Sequence, residues 1–388
     1  MAAEHWLAAA LWAPACAAPA AVIRVGPAEP VATIAAAARL AQDGDTVEIM
    51  PGDYRGDVAV WLQKRLTIQG IGARPVLHAD GRGAEGKAIW VIRDGDFTLR
   101  NIEFRGARVY SGNGAGIRFE RGRLHVVDCR FADNQMGLLT GNDPASELRI
   151  ESSVFGPAPR QQAPLPHLLY VGAIGSVTIS GSRFFGGHWG HLVKSRARRS
   201  DLRYNMIVDG EGGEASYETD FPNGGEVTLV GNIIGKSTAP QNSALVAWGA
   251  EGFRWSDNRL TMVHNTLVAD GPAPVTFVRV FDAGAPWPVV TRNNLASGNG
   301  TFEGGVPGDH AGNQQLPPSL FADAPGHGYA LPADLAWRRR LAAVPLAGTD
   351  GGAAPTHQFA APAGVRPLAL RDEAALVGAV QSPPVGGR

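Results

Sequence analysis

Nine segments of this chain repeat one pattern, and no other feature limits its fold as tightly. LTIQGIG (66–72), FTLRNIEFRG (97–106), LHVVDCRFADN (124–134), LRIESSVFG (148–156) and VTISGSRFFGG (177–187) each carry alternating apolar residues, a small polar turn and a second apolar pair. LRYNMIVDG (202–210), VTLVGNIIG (227–235), TMVHNTLVAD (261–270) and VVTRNNLASG (289–298) continue the series. Aligned on Asn101, Asp128, Ser152, Gly181, Tyr204, Gly231, His264 and Asn293, the turns follow one another at 27, 24, 29, 23, 27, 33 and 29 residues. A period of that size marks a solenoid built from one supersecondary unit per repeat.

Strands this short and this far apart cannot be joined as two-residue hairpins, and no helical pattern separates them to make crossovers. They must stack in parallel, each coil bonded to the next at about 4.8 Å with its apolar rows facing one core. The expected fold is therefore all-β, a right-handed parallel β-helix over residues 21–315. Variable step lengths place insertions in outward loops. Asn and Gly at the turns tolerate left-handed backbone angles, and stacked Asn side chains satisfy backbone groups between coils. Asn101, Asn205, Asn232, Asn265 and Asn294 are thus read as structural. A solenoid end is an open sheet edge that recruits other chains unless covered. Residues 31–44 show apolar spacing of helical period and stop at Gly44, which predicts an N-terminal capping helix. Past the last repeat, residues 316–388 are rich in Ala, Pro and Gly and read as an irregular C-terminal cap or tail. The Arg338-Arg339-Arg340 run there is read as solvated surface.

The N-terminus, MAAEHWLAAALWAPACAAPA, has an apolar run followed by small residues and resembles a secretory signal peptide over residues 1–20, which predicts a secreted or periplasmic protein. No run approaches the length of a membrane span. A net charge of −1 argues against a nucleic-acid partner. A monomer is expected. Cys16 lies in the signal-like segment and Cys129 in a strand pattern, so no disulfide framework is available.

Chemistry concentrates where the repeat is interrupted. Between 186 and 225 lie His188, His191, Lys194, Arg196, Arg198, Tyr217, Glu218, Asp220 and Asn223, on consecutive coils. The spacing of Lys194 and Tyr217 makes them candidates for vertical neighbours. Four lysines among 35 basic residues leave 31 arginines, so a lysine amid arginines stands out. Unlike arginine, lysine can work as a neutral base.

The order of elements, GDTVEIMPGDYRG, then coils leading to HLVKS and an NxIxxG turn, resembles the β-helix polysaccharide lyases of the alginate lyase and chondroitinase B family. SYETDFPNGG (216–225) resembles bacterial right-handed β-helix repeat proteins more closely still. The resemblance spans roughly 30–300 and is most specific over 186–250. In those lyases a Lys-Ser strand supplies the base that removes the C5 proton of a uronic acid, and an arginine one coil on assists the leaving oxygen. Lys194-Ser195 match the first element; Ala215-Ser216-Tyr217-Glu218 stand where the arginine would be, and Tyr217 is the substitute acid.

The resemblance implies β-elimination on an anionic, uronate-containing polysaccharide, with Lys194, Tyr217 and Arg196 catalytic and His188, His191, Arg198, Asn223 and Gln241 binding substrate. The uronate carboxylate would be neutralised by Arg196 and Arg198, or by calcium held on Glu218 and Asp220. Two other readings stay open: a non-catalytic glycan-binding or cell-surface β-helix using Trp189, Trp248 and Trp255, and a glycoside hydrolase using Glu218 and Asp220 as paired carboxylates.

Overall fold

The computed structural model describes residues 20–381 apart from 162–165, 283, 285, 303–305, 322–327, 332–338, 347–353 and 369–374. The segment proposed as a signal lies almost wholly outside the described residues. Alternation of apolar and polar residues along each repeat buries one side of each strand, and three strands per coil close around the core. Stacked coils give three parallel sheets, of twelve, ten and eleven strands among the described residues. Every pairing within them is parallel and in register from coil to coil, as in Leu66, Phe97, Leu124, Leu148, Val177, Ser200, Val227, Leu260 and Val289 of the twelve-strand sheet. The chain is a parallel β-helix with very little helix.

The eight turn positions aligned in the sequence are one structural feature. All have left-handed backbone, with φ between 48° and 62°. Immediately after them runs a buried ladder of side chains. The Cys129 N–H donates to Ser153 Oγ at 3.1 Å, Ser153 N–H to Ser182 Oγ at 3.1 Å, and Ser182 N–H to Asn205 Oδ1 at 2.9 Å. From there Asn205, Asn232, Asn265, Asn294 and Asn313 each bond to the next, through both backbone N–H and side-chain Nδ2, at 2.9–3.0 Å. Asn101 differs from the other asparagines expected to act this way. It occupies the left-handed position itself, and its Nδ2 donates to Gly70 O and Gly72 O.

Inside the coils, Trp61, Trp90, Phe104, Phe131, Phe155 and Phe184 form a continuous aromatic column with centroid spacings of 4.5–5.2 Å. Outside, the row Arg65, Asp96, Arg123, Glu147 alternates in charge, and Arg199, Glu226, Arg259 do so again, so vertical neighbours attract.

The helical pattern at 31–44 yields a helix of seven residues, α1 (Ile34–Leu40), whose Ile34, Ala37 and Ala38 are buried in the core. Thr33 caps it, its Oγ1 accepting from Ala36 N–H at 3.1 Å, and the Asp57 carboxylate accepts the next two orphan donors, Ile34 N–H at 2.6 Å and Ala35 N–H at 2.9 Å. At the other terminus, the described parts of 316–388 lie along the flank of the eleven-strand sheet. Leu341, Leu376 and Val377 pack on Met206, Ile233, Val268 and Leu295, and the Gly378 N–H donates to the Asn293 carbonyl at 2.8 Å.

Asn265 accepts from Asn232 and donates to Leu229 O and Asn294. Asn265→Ala leaves the Asn232 N–H without its partner in a dry interior and takes one donor from the Leu229 carbonyl, so a loss of roughly 1–3 kcal/mol is expected in denaturant unfolding. Asn101→Gly, at a left-handed corner outside the ladder, is expected within about 1 kcal/mol of wild type.

Candidate functional site

On the outer face of the ten-strand sheet, register places Tyr170, Lys194, Asp220, Ala247 and Arg279 in one vertical row. The strands Val193–Ser195 and Thr219–Phe221 also bury Val193, Thr219, Ser195 and Phe221, so Lys194 and Asp220 are the residues each strand turns outward. Lys194 Nζ lies 3.4 Å from Asp220 Oδ2 and 3.3 Å from Glu251 Oε1. Two carboxylates are thus its immediate charged neighbours, where the local sequence suggested a setting of arginines.

Beside this row runs a second, made of rings. His167 and His191 stack at 4.9 Å and His191 and Tyr217 at 5.0 Å. The His191 N–H donates to His167 Nδ1 at 2.9 Å, and the Tyr217 N–H to His191 Nδ1 at 3.1 Å. With Nδ1 accepting, each neutral imidazole carries its proton on Nε2, and that of His191 faces Asp220 Oδ2 at 3.3 Å. The vertical neighbour of Tyr217 is therefore His191, and that of Lys194 is Asp220; Lys194 and Tyr217 are linked through this pair rather than stacked.

Arg196 follows the strand and points back over it. Its Nε donates to Tyr170 OH at 2.8 Å, Nη1 to Asn223 Oδ1 at 2.7 Å, and Nη1 and Nη2 grip both oxygens of Glu251 at 2.7 and 2.8 Å. The PNGG turn explains itself here: Asn223 orients Arg196, while Gly224 (φ 72°) and Gly225 (φ 87°) pass so close to Phe253 and to the Arg198 carbonyl that a Cβ would collide. Next to Arg196 a cleft of about 380 Å³ opens between Asn142, Tyr170, Asn223, Arg254 and Trp255. Trp255 Nε1 donates to the Arg196 carbonyl at 3.1 Å, which fixes the indole at its rim.

Electrostatics follow from burial and these contacts. Burial pushes the Asp220 carboxyl up to about 6 against the opposing pull of Lys194. The hydrogen bonds from Arg196 hold Glu251 down at about 2, and the same contacts outweigh burial to keep Arg196 protonated. Burial pushes the Tyr217 phenol upward, so it is protonated and able to donate at neutral pH. His167 is driven down to about 3 and His191 well below its usual range, in both cases first by burial and then by neighbouring positive charge.

Of the residues singled out in the sequence, Lys194, Arg196, His191, Tyr217, Asp220 and Asn223 come together. Gln241 is an exposed residue whose N–H donates to Ala215 O. Arg198 lies in the turn leaving the sheet, its N–H donating to Ile174 O. His188 belongs to another corner, where its Nδ1 meets Glu214 Oε2 at 2.5 Å and Arg160 joins the same oxygen. Glu218 faces inward, fully buried on Lys236 Nζ at 3.0 Å, and burial raises its carboxyl to about 8. Glu218 and Asp220 therefore do not converge on one cation: one is committed to Lys236, the other to Lys194 and His191. Among the described residues no cluster of three or more His, Cys, Asp or Glu is arranged to hold a metal. Each carboxylate is held by its own cation, so the two do not present one shared face to a calcium ion. Trp248 is fully buried and Trp189 stacks on His188, which leaves Trp255 of the three tryptophans at the cleft. His167, Tyr170 and Glu251 were not singled out; the first two stand one repeat upstream of His191 and Lys194, so counting back one period reaches them.

No protein-family model and no curated protein matches the chain by sequence. Among solved structures it is similar to the crystal structure of the pectate lyase Pel9A, with a TM-score of 0.61 over 93% of this chain and 96% of that chain, at 13% identity. The fold is a pectate-lyase-like β-helix. The likeness at this identity is one of fold, and the chemistry must be argued from the site.

Because the pKa of His167 is lowered in the folded protein, its neutral burial costs nothing above pH 6.5 and destabilises progressively as pH falls toward 3, where the unfolded chain gains a proton that the folded one refuses. His167→Gln removes that linkage. Between pH 7 and pH 5 the stability of wild type relative to His167→Gln should fall by about 2 kcal/mol in urea unfolding.

Proposed function

We propose that the protein is a polysaccharide lyase that cleaves a uronate-containing chain by β-elimination on the outer face of the ten-strand sheet. The observation that carries this reading is the contact network that links Lys194, His191 and Tyr217 through Asp220, with Arg196 beside it at the wall of a cleft. β-Elimination needs three things: a base at C5, neutralisation of the carboxylate that acidifies C5–H, and a proton for the departing O4. Arg196 offers a planar fork suited to the carboxylate. Lys194, two residues before Arg196, passes its ammonium proton to Asp220 Oδ2, 3.4 Å away, and then takes the C5 proton as the free amine. Tyr217 donates its phenolic proton to the leaving oxygen, with His191 holding its backbone and packing against its ring. The step balances: the C5–H and C4–O bonds break, a C4=C5 double bond forms, and the proton taken by Lys194 is matched by the one Tyr217 supplies. Arg196 replaces calcium in this scheme, so chelation is expected to leave activity unchanged.

Extended polymers suit the site, because the row of Tyr170, Lys194 and Asp220 runs along the solenoid and its Tyr170 end borders the cleft. With the pectate-lyase-like fold, this supports a polysaccharide ligand and an exported protein. One observation favours the binding reading instead: Trp255 is held at the cleft rim where an indole face can stack on a sugar.

Purified protein incubated with alginate, polygalacturonate, glucuronan and glycosaminoglycans should raise the ultraviolet absorbance of unsaturated uronate ends on at least one. Lys194→Ala and Tyr217→Phe are expected to lower kcat by at least about 10²-fold with the fold intact by circular dichroism, and Arg196→Lys to raise KM as well. Glycan binding lost in Trp255→Ala, with no product from any polymer, would establish the non-catalytic alternative.

A further inference from the structure

Glu251 belongs to the turn that follows the strand Ala244–Trp248, between Gly249 (φ 83°) and Gly252 (φ 85°). The backbone of this turn is tied down. The Glu251 N–H donates to Pro222 O at 2.8 Å, the Arg254 N–H to Asn223 O at 3.0 Å, and the Phe253 ring packs edge-on against buried Trp248 at 4.7 Å. The Glu251 side chain is different: its own chain neighbours do not cover it, it is 41% exposed, and it reaches back over two coils to Arg196 and Lys194.

The contact it makes there is the one an incoming carboxylate would make. Both oxygens engage the Arg196 fork at 2.7 and 2.8 Å, and Oε1 also lies 3.3 Å from Lys194 Nζ. The rest of the guanidinium is occupied by Tyr170 and Asn223, so the fork has no second face for another carboxylate. Charge gives the same answer. Lys194 and Arg196 are balanced by Asp220 and Glu251; a further anion would leave the cluster with an excess negative charge in a partly desolvated site, whereas exchange of one carboxylate for another keeps the balance.

We propose that Glu251 is an internal stand-in for the substrate's carboxylate, filling the Arg196–Lys194 position in the free protein and swinging out when an anionic sugar enters. This rests on the reading of that position as a uronate site. Because the turn's backbone is anchored, the exchange is a rotation of one exposed side chain into solvent and needs no movement of the loop. The device has a consequence for selectivity: a neutral sugar cannot repay the loss of the Glu251 contact, so the site discriminates against uncharged or esterified residues.

The test is calorimetric titration of wild type, Glu251→Gln and Glu251→Asp with oligogalacturonate, oligomannuronate and oligoguluronate, run beside the absorbance assay for unsaturated ends. If the unoccupied position is populated about a tenth of the time, Glu251→Gln should bind at least one of these oligomers about tenfold more tightly, with Glu251→Asp in between. The gain should vanish when Arg196→Ala is added. Unchanged or weaker binding by Glu251→Gln, a gain that survives loss of Arg196, or no binding of any oligomer to any of the proteins would overturn the proposal. Tighter binding without product would keep the stand-in and remove the lyase reading; product formation with unaltered affinity would do the opposite.

Discussion

The hydrogen-bonded ladder from Ser153 through Asn313 is the interaction on which the rest of this structure depends. A parallel solenoid has no turn chemistry that fixes register between coils, and a slip of one residue would exchange its inner and outer faces. The ladder removes that freedom. Each Asn fills its neighbour's unpaired N–H and a backbone carbonyl as well, so a shifted coil would bury orphan donors and acceptors. The left-handed residue just before each rung turns the chain at the same point in every coil. Insertions are then absorbed at the other corners, which is why the coil-to-coil spacing can vary while Tyr170, Lys194 and Asp220 stay in line.

Much of this was legible because corners and strands repeat. Aligning polar turns located eight left-handed positions without knowledge of any contact, and alternation marked the core rows. The exceptions have local causes. Asn101 and Asn205 look alike in sequence but stand one residue apart in the corner, one bending the backbone and the other forming a rung. The helical pattern at 31–44 contracted to Ile34–Leu40 because Asp57 and Thr33 together satisfy the helix start, and the chain is already extended at Ala41.

The site was legible as a place more than as a geometry. A dense polar stretch in a monotonous repeat held Lys194, Arg196, His191, Tyr217, Asp220 and Asn223, which the fold joins in one contact network. Glu218 was misplaced because alternation was extended past the end of its strand: the regular segment begins at Thr219, and the residue before it turns inward to Lys236. Glu251 was invisible for a different reason. It lies 57 residues from Lys194, more than two coils away, and reaches the site by side-chain length rather than by register. Solenoids hide such partners, since neighbours in the stack are predictable from the period but side chains leaning over from corners are not.

The members of this cluster are unequally anchored. Asp220 and Asn223 are buried and His191 nearly so, and each is held by partners that give it one arrangement. Tyr170 and Trp255 fix the two ends of Arg196, through its Nε and its carbonyl. Purely structural networks gain from immobilising every charge. Here a rigid cationic fork faces solvent through a carboxylate that is itself half exposed, a division expected where one member of the network must yield its place to a ligand of the same chemistry. On the proposal made above, the anchored residues define the shape of the position, and the exposed Glu251 carboxylate marks the charge that it would receive.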